Sequence, residues 1–234
     1  MTMKKFTCMC LCILLGAGML TGCGTSVSSE QNLVYVDKKG GVVSVDVETL
    51  DAGYYSEEEL EAFIKEEVDS YTEAHGKGSV SLEELKVEDG RAKLTMKYKT
   101  TEDYTEFNGI ELYQGKIVKA LAAGYDFKTD FSKVEDGKVT GSATTKEIYA
   151  TEDLKVVIIK ANTDVQVPGD ICYVSNENVK LTGNDTVSIR KAYGSVTAES
   201  EAVNGSTEMP EESADLAEAD SSFETDVYTY IIYK

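Results

Sequence analysis

From Asn32 to Glu48 the chain alternates: two short apolar runs flank a Lys38-Lys39-Gly40-Gly41 turn, with Val43, Val45 and Val47 interleaved with Ser44, Asp46 and Glu48. Alternation at period two around a glycine turn predicts a β-hairpin with the valines on one face. At Ser56 the pattern becomes helical. Ser56 is placed as N-cap with Glu59 three residues on as its capping-box partner, and Tyr55 and Leu60 are placed to staple the helix entry. Leu60, Phe63, Ile64, Val68 and Tyr71 recur on one stripe, the face expected to be buried, while Glu57, Glu58, Glu61 and Glu66 favour solvent and the early acids complement the positive helix end. Gly76 ends the helix, which therefore spans about 56–75.

Period two returns after Ser79. An Asp89-Gly90 turn precedes Ala92, Leu94, Met96 and Tyr98, which alternate with Lys93, Thr95, Lys97 and Lys99, so one face is core and the other wet. Thr101 to Gly109 fits one or two helical turns ended by Asn108-Gly109. Ile110 to Gly124 fits strand and helix equally and receives no assignment. The pentapeptide KVEDG occurs at Lys86–Gly90 and Lys133–Gly137, which a reused Asp-Gly turn explains more simply than a repeat. In Leu154–Lys160, Val156 and Ile158 share one face and Val157 and Ile159 the other, so neither face tolerates water and the run reads as a central strand. Val227, Ile231 and Tyr233, set against Tyr228, Tyr230 and Ile232, give the last strand the same character. The short runs between these two, punctuated by Pro168-Gly169 and Gly183-Asn184, read as an antiparallel meander. Ala192 to Tyr233 contains no Lys or Arg, and the Ser/Ala-rich acids from Glu199 onward lack the apolar surface to offset their ordering entropy. They predict a disordered acidic insertion at about 197–224, between Asp185–Tyr193 and Val227–Lys234 as partner strands of one sheet. The expected class is α+β, mainly antiparallel β-sheet with one prominent amphipathic helix, in a single domain over 32–234.

The amino terminus has a different logic. Lys4 and Lys5 precede an uncharged apolar run, Phe6 to Leu20, which has the layout of a secretory signal. The run is short of the roughly 20 apolar residues that cross ~30 Å of hydrocarbon. A plain secretory signal and an uncleaved anchor share the charge and the run, but the tetrad that closes it, Leu20-Thr21-Gly22-Cys23, resembles the lipobox of bacterial lipoprotein precursors. The resemblance covers only this first tenth of the chain. It implies diacylglyceryl attachment at Cys23 and cleavage before it, with loss of the signal peptide 1–22 and a place on the extracytoplasmic face of the bacterial cell membrane. The residues behind Cys23, Gly24 to Gln31, lack a hydrophobic pattern and predict a flexible tether over 23–31. Cleavage would also remove Cys8, Cys10 and Cys12, leaving Cys172 as the one free thiol and no internal disulfide. Two acyl chains suffice for stable attachment where one does not.

Charge then narrows the partners. The net charge of −19 becomes two units more negative once Lys4 and Lys5 are removed, so phosphate is repelled and nonspecific nucleic-acid binding is excluded. Acidity of this degree suits solubility in the envelope, or weak gathering of divalent cations. His75 is the sole histidine, which excludes a two-histidine metal cluster. It falls at the predicted helix end, where an imidazolium complements the dipole. Cys172, alternating with Tyr173, reads as a small buried hydrophobe rather than a nucleophile. Tyr35, Tyr98, Tyr173 and Tyr228 fall in strand-like runs, where packing is the commoner use of the ring. No nucleophile elbow, phosphate-binding loop, zinc motif or EF-hand loop is present, so no catalytic, metal or cofactor residue is assigned. Two function classes stand: a noncatalytic envelope module binding a protein, glycan or divalent cation, and an envelope hydrolase working through paired carboxylates, whose spacing only three dimensions define.

Overall fold

The computed structural model of the chain describes residues 29–50, 56–191 and 224–234. In chain order the strands are β1 (Leu33–Val36), β2 (Val42–Thr49), β3 (Val80–Glu88), β4 (Arg91–Tyr98), β5 (Leu112–Lys116), β6 (Phe131–Glu135), β7 (Lys138–Ala143), β8 (Lys155–Ala161), β9 (Asp164–Gln166), β10 (Ile171–Ser175), β11 (Val179–Leu181), β12 (Thr186–Ile189) and β13 (Glu224–Tyr233). The helices are α1 (Glu57–His75), α2 (Thr101–Asn108), α3 (Ile117–Ala122) and α4 (Thr145–Ala150). The mixed, antiparallel-dominated class is as expected. The helix content exceeds one prominent helix: the described residues hold four, with α2 where Thr101–Gly109 reads as helical turns, and α3 and α4 as further short segments between strands that wind up.

Two sheets form, in the orders β11-β12-β9-β1-β2-β4-β3 and β5-β8-β13-β10-β6-β7. Every pairing is antiparallel except β1 with β9. The sheets meet across one apolar cluster, Val34, Val36, Val165 and Val187 from the first against Val157, Ile159, Ile231 and Tyr233 from the second. The other face of the second sheet, with Val156, Ile158, Tyr230 and Ile232, lies under Ile117 and Ala120 of α3 and Ile148 of α4. β8 and β13 are thus interior strands buried on both faces, with the facing sets their sequences predict.

Local chemistry explains the turns. Both KVEDG copies end in hairpin turns whose Asp and Gly have positive φ, 52° and 73° at Asp89-Gly90 and 50° and 71° at Asp136-Gly137. This is the primed geometry that matches strand twist. In β3 a bulge at Glu83 shifts the register from Leu82–Met96 to Glu84–Thr95. It keeps Val80, Leu82, Leu85 and Val87 on one face although their spacing breaks period two.

Several expectations are corrected. In β2 the valines Val43, Val45 and Val47 share one face as expected, and it is the other face, with Val42, Ser44 and Asp46, that turns to the inter-sheet cluster, since Ser44 lies opposite both Val34 and Met96 of that cluster. Val45 on the reverse face is buried as well. Asp46 accepts a 2.8 Å hydrogen bond from Ser44 Oγ, and burial raises its carboxyl pKa above the ordinary value. α1 begins at Ser56, whose side chain accepts from Glu59 N, and stops at Gly76 with φ 98°. Its staple partner Tyr55 lies outside the described residues. α1 packs against the edge strand β3, and a single strand covers only a narrow stripe. Ile64 is buried and Leu60, Val68 and Tyr71 pack beside it, but Phe63 on the flank is 60% exposed and is not a core residue.

The unassigned Ile110–Gly124 holds β5 and then α3, a strand and a helix in succession. The meander is broken, because β9, β11 and β12 join the first sheet while β10 joins the second. β12 and β13 are likewise not partners. β12 pairs with β11 and β9, β13 with β8 and β10, so the chain between them passes from one sheet to the other. The expected acidic insertion lies outside the described residues but for its last, Glu224.

Candidate functional site

β1 and β9 start together, Leu33 opposite Asp164, at the end of the first sheet where β12 finishes and β11 begins. At that same end of the second sheet β8 finishes and β13 enters, with Glu224 opposite Ala161. The gap between these strand ends is a cleft of about 800 Å³ lined by Gly109, Ile110, Glu111, Lys160, Asn162, Glu177, Asn178, Lys191, Thr225, Asp226 and Val227. Backbone bonds frame it: Lys160 N donates to Glu111 O at 3.1 Å and Arg190 N to Asn178 O at 2.8 Å. Asn178 is in the left-handed region, φ 62°, which asparagine tolerates better than most residues. Behind Lys191, Arg190 pairs with Asp164 at 3.1 Å, and Ser188 Oγ donates to the same carboxylate at 2.6 Å.

Glu111 is held on both carboxylate oxygens. Tyr125 Oη donates to its Oε1 at 3.1 Å and Tyr228 Oη to its Oε2 at 2.6 Å. Tyr125 packs between Tyr113 and Tyr228, with ring centroids 5.1 and 5.8 Å away. The phenol of Tyr228 is pushed up to about 12, first by its hydrogen bond to Glu111. That of Tyr125 is raised first by desolvation and then by the Glu111 charge. Both phenols therefore stay protonated donors. Lys160 Nζ stands 5.7 Å from the centroid of the Tyr228 ring, within cation–π reach. The cleft thus combines an oriented anion at Glu111, further carboxylates at Glu177 and Asp226, cations at Lys160 and Lys191, and two amides.

The residues singled out from sequence lie elsewhere. His75 ends α1 as predicted. Its ring stacks on Tyr71, centroids 3.9 Å apart and 4° from parallel, and its Nδ1 is 3.2 Å from Glu106 Oε2 on α2. Tyr71 Oη also reaches Glu106 and Asp103, at 3.2 and 3.3 Å. Cys172 is half-buried in β10 against the outer cluster, and burial raises its thiol pKa. It is less enclosed than a core hydrophobe. Cys23 lies outside the described residues. Among the described residues no group of His, Cys, Asp and Glu is placed to hold a metal ion, and no helix is long and apolar enough to cross a membrane.

None of the cleft side chains carries a motif. Their one sequence signal is positional, because Glu111, Lys160 and Asp226 are each the polar residue that borders an apolar strand run. Comparison with protein-family models, curated proteins and solved structures finds no match.

Proposed function

We propose that the chain is a lipoprotein anchored through Cys23 on the extracytoplasmic face of the membrane, and that its folded part is a noncatalytic module built on the two sheets with α1 as principal amphipathic helix. The cleft is its binding site, and its ligand is a peptide segment of an envelope protein presenting both a cationic and an anionic group. The observation that carries this reading is Glu111: with a tyrosine hydroxyl on each oxygen, the carboxylate is held as a preoriented acceptor, beside two lysines suited to the opposite charge. Among the described residues no aromatic side chain lines the cleft, which favours a peptide over a glycan, and Lys160 and Lys191 share it, which disfavours a divalent cation. A hydrolase needs two carboxyl groups free to flank the scissile bond, and both oxygens of Glu111 are already engaged by tyrosine hydroxyls.

The tether supports the same picture. Lys93 Nζ reaches Glu30 at 3.1 Å, and Asp164 N donates to Asn32 O at 3.1 Å, so the chain enters the fold at the cleft end. Even fully extended, the residues from Cys23 to Ser29 span at most about 25 Å, which keeps that end close to the lipid. Intact-mass analysis tests the anchor: a mature chain starting anywhere but an acylated Cys23 overturns it. Calorimetric titration of the membrane-extracted protein with short peptides tests the cleft. Terminally blocked peptides carrying a lysine and a glutamate side chain bind, and those with both side chains replaced by alanine, or a Lys160→Ala/Lys191→Ala variant, bind at least severalfold more weakly. Equal binding in all arms, or cleavage of the peptides, overturns the reading.

A further inference from the structure

Away from the cleft, the outer cover of the second sheet leaves an apolar strip open to solvent. Val118 and Leu121 of α3 are 71% and 38% exposed and Tyr149 of α4 is 47% exposed. They border a groove of about 190 Å³ floored by Ile117, Ile148 and Leu154. The charges flanking it are segregated. Lys116 and Lys119 stand on the α3 side, whereas Glu152 and Asp153 follow α4 on the other, the Glu147 carboxylate being held by the Thr144 cap. All are exposed, and across the groove Lys116 and Asp153 approach only to 3.8 Å, leaving the two edges available to other partners.

From this segregation we infer that the α3–α4 groove is a two-fold interface with a second copy of this chain. A two-fold axis lying along the strip carries α3 of one copy over α4 of the other, so Lys116 and Lys119 meet Glu152 and Asp153 of the second copy, and the reverse contact is identical. That is the self-complementarity an isologous interface requires. Each protruding Val118 enters the groove of the other copy and loses water from its side chain. The anchor proposed above, on which this step rests, holds both copies at one membrane. Confinement to that membrane raises the effective concentration of the copies, so a small interface is enough. The dimer rests on the groove and its charges and is independent of what the cleft binds.

Disulfide trapping in intact cells tests it with the full chain. In a Cys172→Ser background, a tagged Val118→Cys chain is expressed with a differently tagged Tyr149→Cys chain and oxidised. Bridging requires Cα atoms within about 7 Å, which this arrangement supplies for the two positions and not for an exposed site on α1. The expected result is severalfold more mixed dimer than with Phe63→Cys in place of Val118→Cys. Adding Lys116→Glu and Lys119→Glu to both chains lowers the yield to that of the control, and adding Glu152→Lys and Asp153→Lys to these restores it. A yield no higher than the Phe63→Cys control, indifference to the first reversal, or no recovery on the second overturns the interface. Dimers from the Cys172→Ser chain with no added cysteine report an unacylated Cys23 instead, so failure of the anchor is read separately.

Discussion

The second sheet is covered twice, and the two covers differ in kind. Its inner face meets another sheet, whose Val34, Val36, Val165 and Val187 are buried along with the residues they touch. Its outer face meets two helices of six residues each, which bury Ile117, Ala120 and Ile148 but leave Val118, Leu121 and Tyr149 in water. A sheet presents a continuous surface at a spacing of ~10 Å and seals what lies beneath it. A helix of under two turns presents few side chains and must expose its opposite side. The inner face is therefore where the fold's stability concentrates, and the outer face is where surface remains free for recognition.

The largest expected effect is on the inner face. Ile159→Ala opens a cavity between two sheets that cannot close on it, and should cost toward the upper end of the roughly 2–5 kcal/mol range for such truncations. Urea denaturation reads this directly. Ile148→Ala, buried under α4 alone, should fall toward the lower end, because a six-residue helix can settle into the space. Equal losses at the two sites would mean that the covers are equally rigid, and the comparison would collapse.

A smaller effect separates the faces by charge. Asp46 stands on the inner side of β2, and burial raises its pKa above the ordinary 3.8. Below that value the carboxyl is protonated in both states and costs nothing. As pH rises through it the unfolded chain ionises first, so stability falls until the folded carboxyl ionises too, and the loss persists above. Asp46→Asn keeps an acceptor for Ser44 and removes the charge. Its melting temperature at pH 7 should exceed that of the wild type, with the two converging near pH 3. A lower melting temperature at pH 7 would show that the ionised carboxylate stabilises the inner face.

How much of this was legible depended on how local the cause was. The two-faced character of β8 and β13 follows from unbroken apolar runs, and the Asp-Gly turns follow from residues that accept positive φ. Neither needs a distant partner. Which sheet a strand joins does need one: β9 and β10 are separated by a Pro-Gly turn that reads like a hairpin, yet they part to different sheets. The role of Asp46 was hidden for a related reason, since alternation shows that two faces differ and not which of them meets the second sheet. The cleft was hidden most completely, because Glu111 acquires its partners Tyr125 and Tyr228 from other segments of the chain.

The smallest expected effects concern exposed aromatic and aliphatic side chains, and they sharpen the comparison most. Periodicity places Phe63 in the stripe with Ile64, and a core phenylalanine truncated to alanine costs about 3–5 kcal/mol. At 60% exposure it has little buried area to lose, so Phe63→Ala should change stability within ~0.5 kcal/mol, the range of ordinary surface positions. Val118→Ala, at 71% exposure, should be equally silent when the chain is dilute and monomeric. The two part company when copies are concentrated. Burial in a second copy adds the transfer of the Val118 side chain to the folded side of the balance, and mass action makes that gain depend on protein concentration. Melting curves at low and high protein concentration therefore distinguish them: the wild type and Phe63→Ala rise together, and Val118→Ala rises less. If Val118→Ala behaves like the other two at every concentration, the exposed strip of the outer cover is bare surface, and the difference between the two faces of the sheet is one of stability alone.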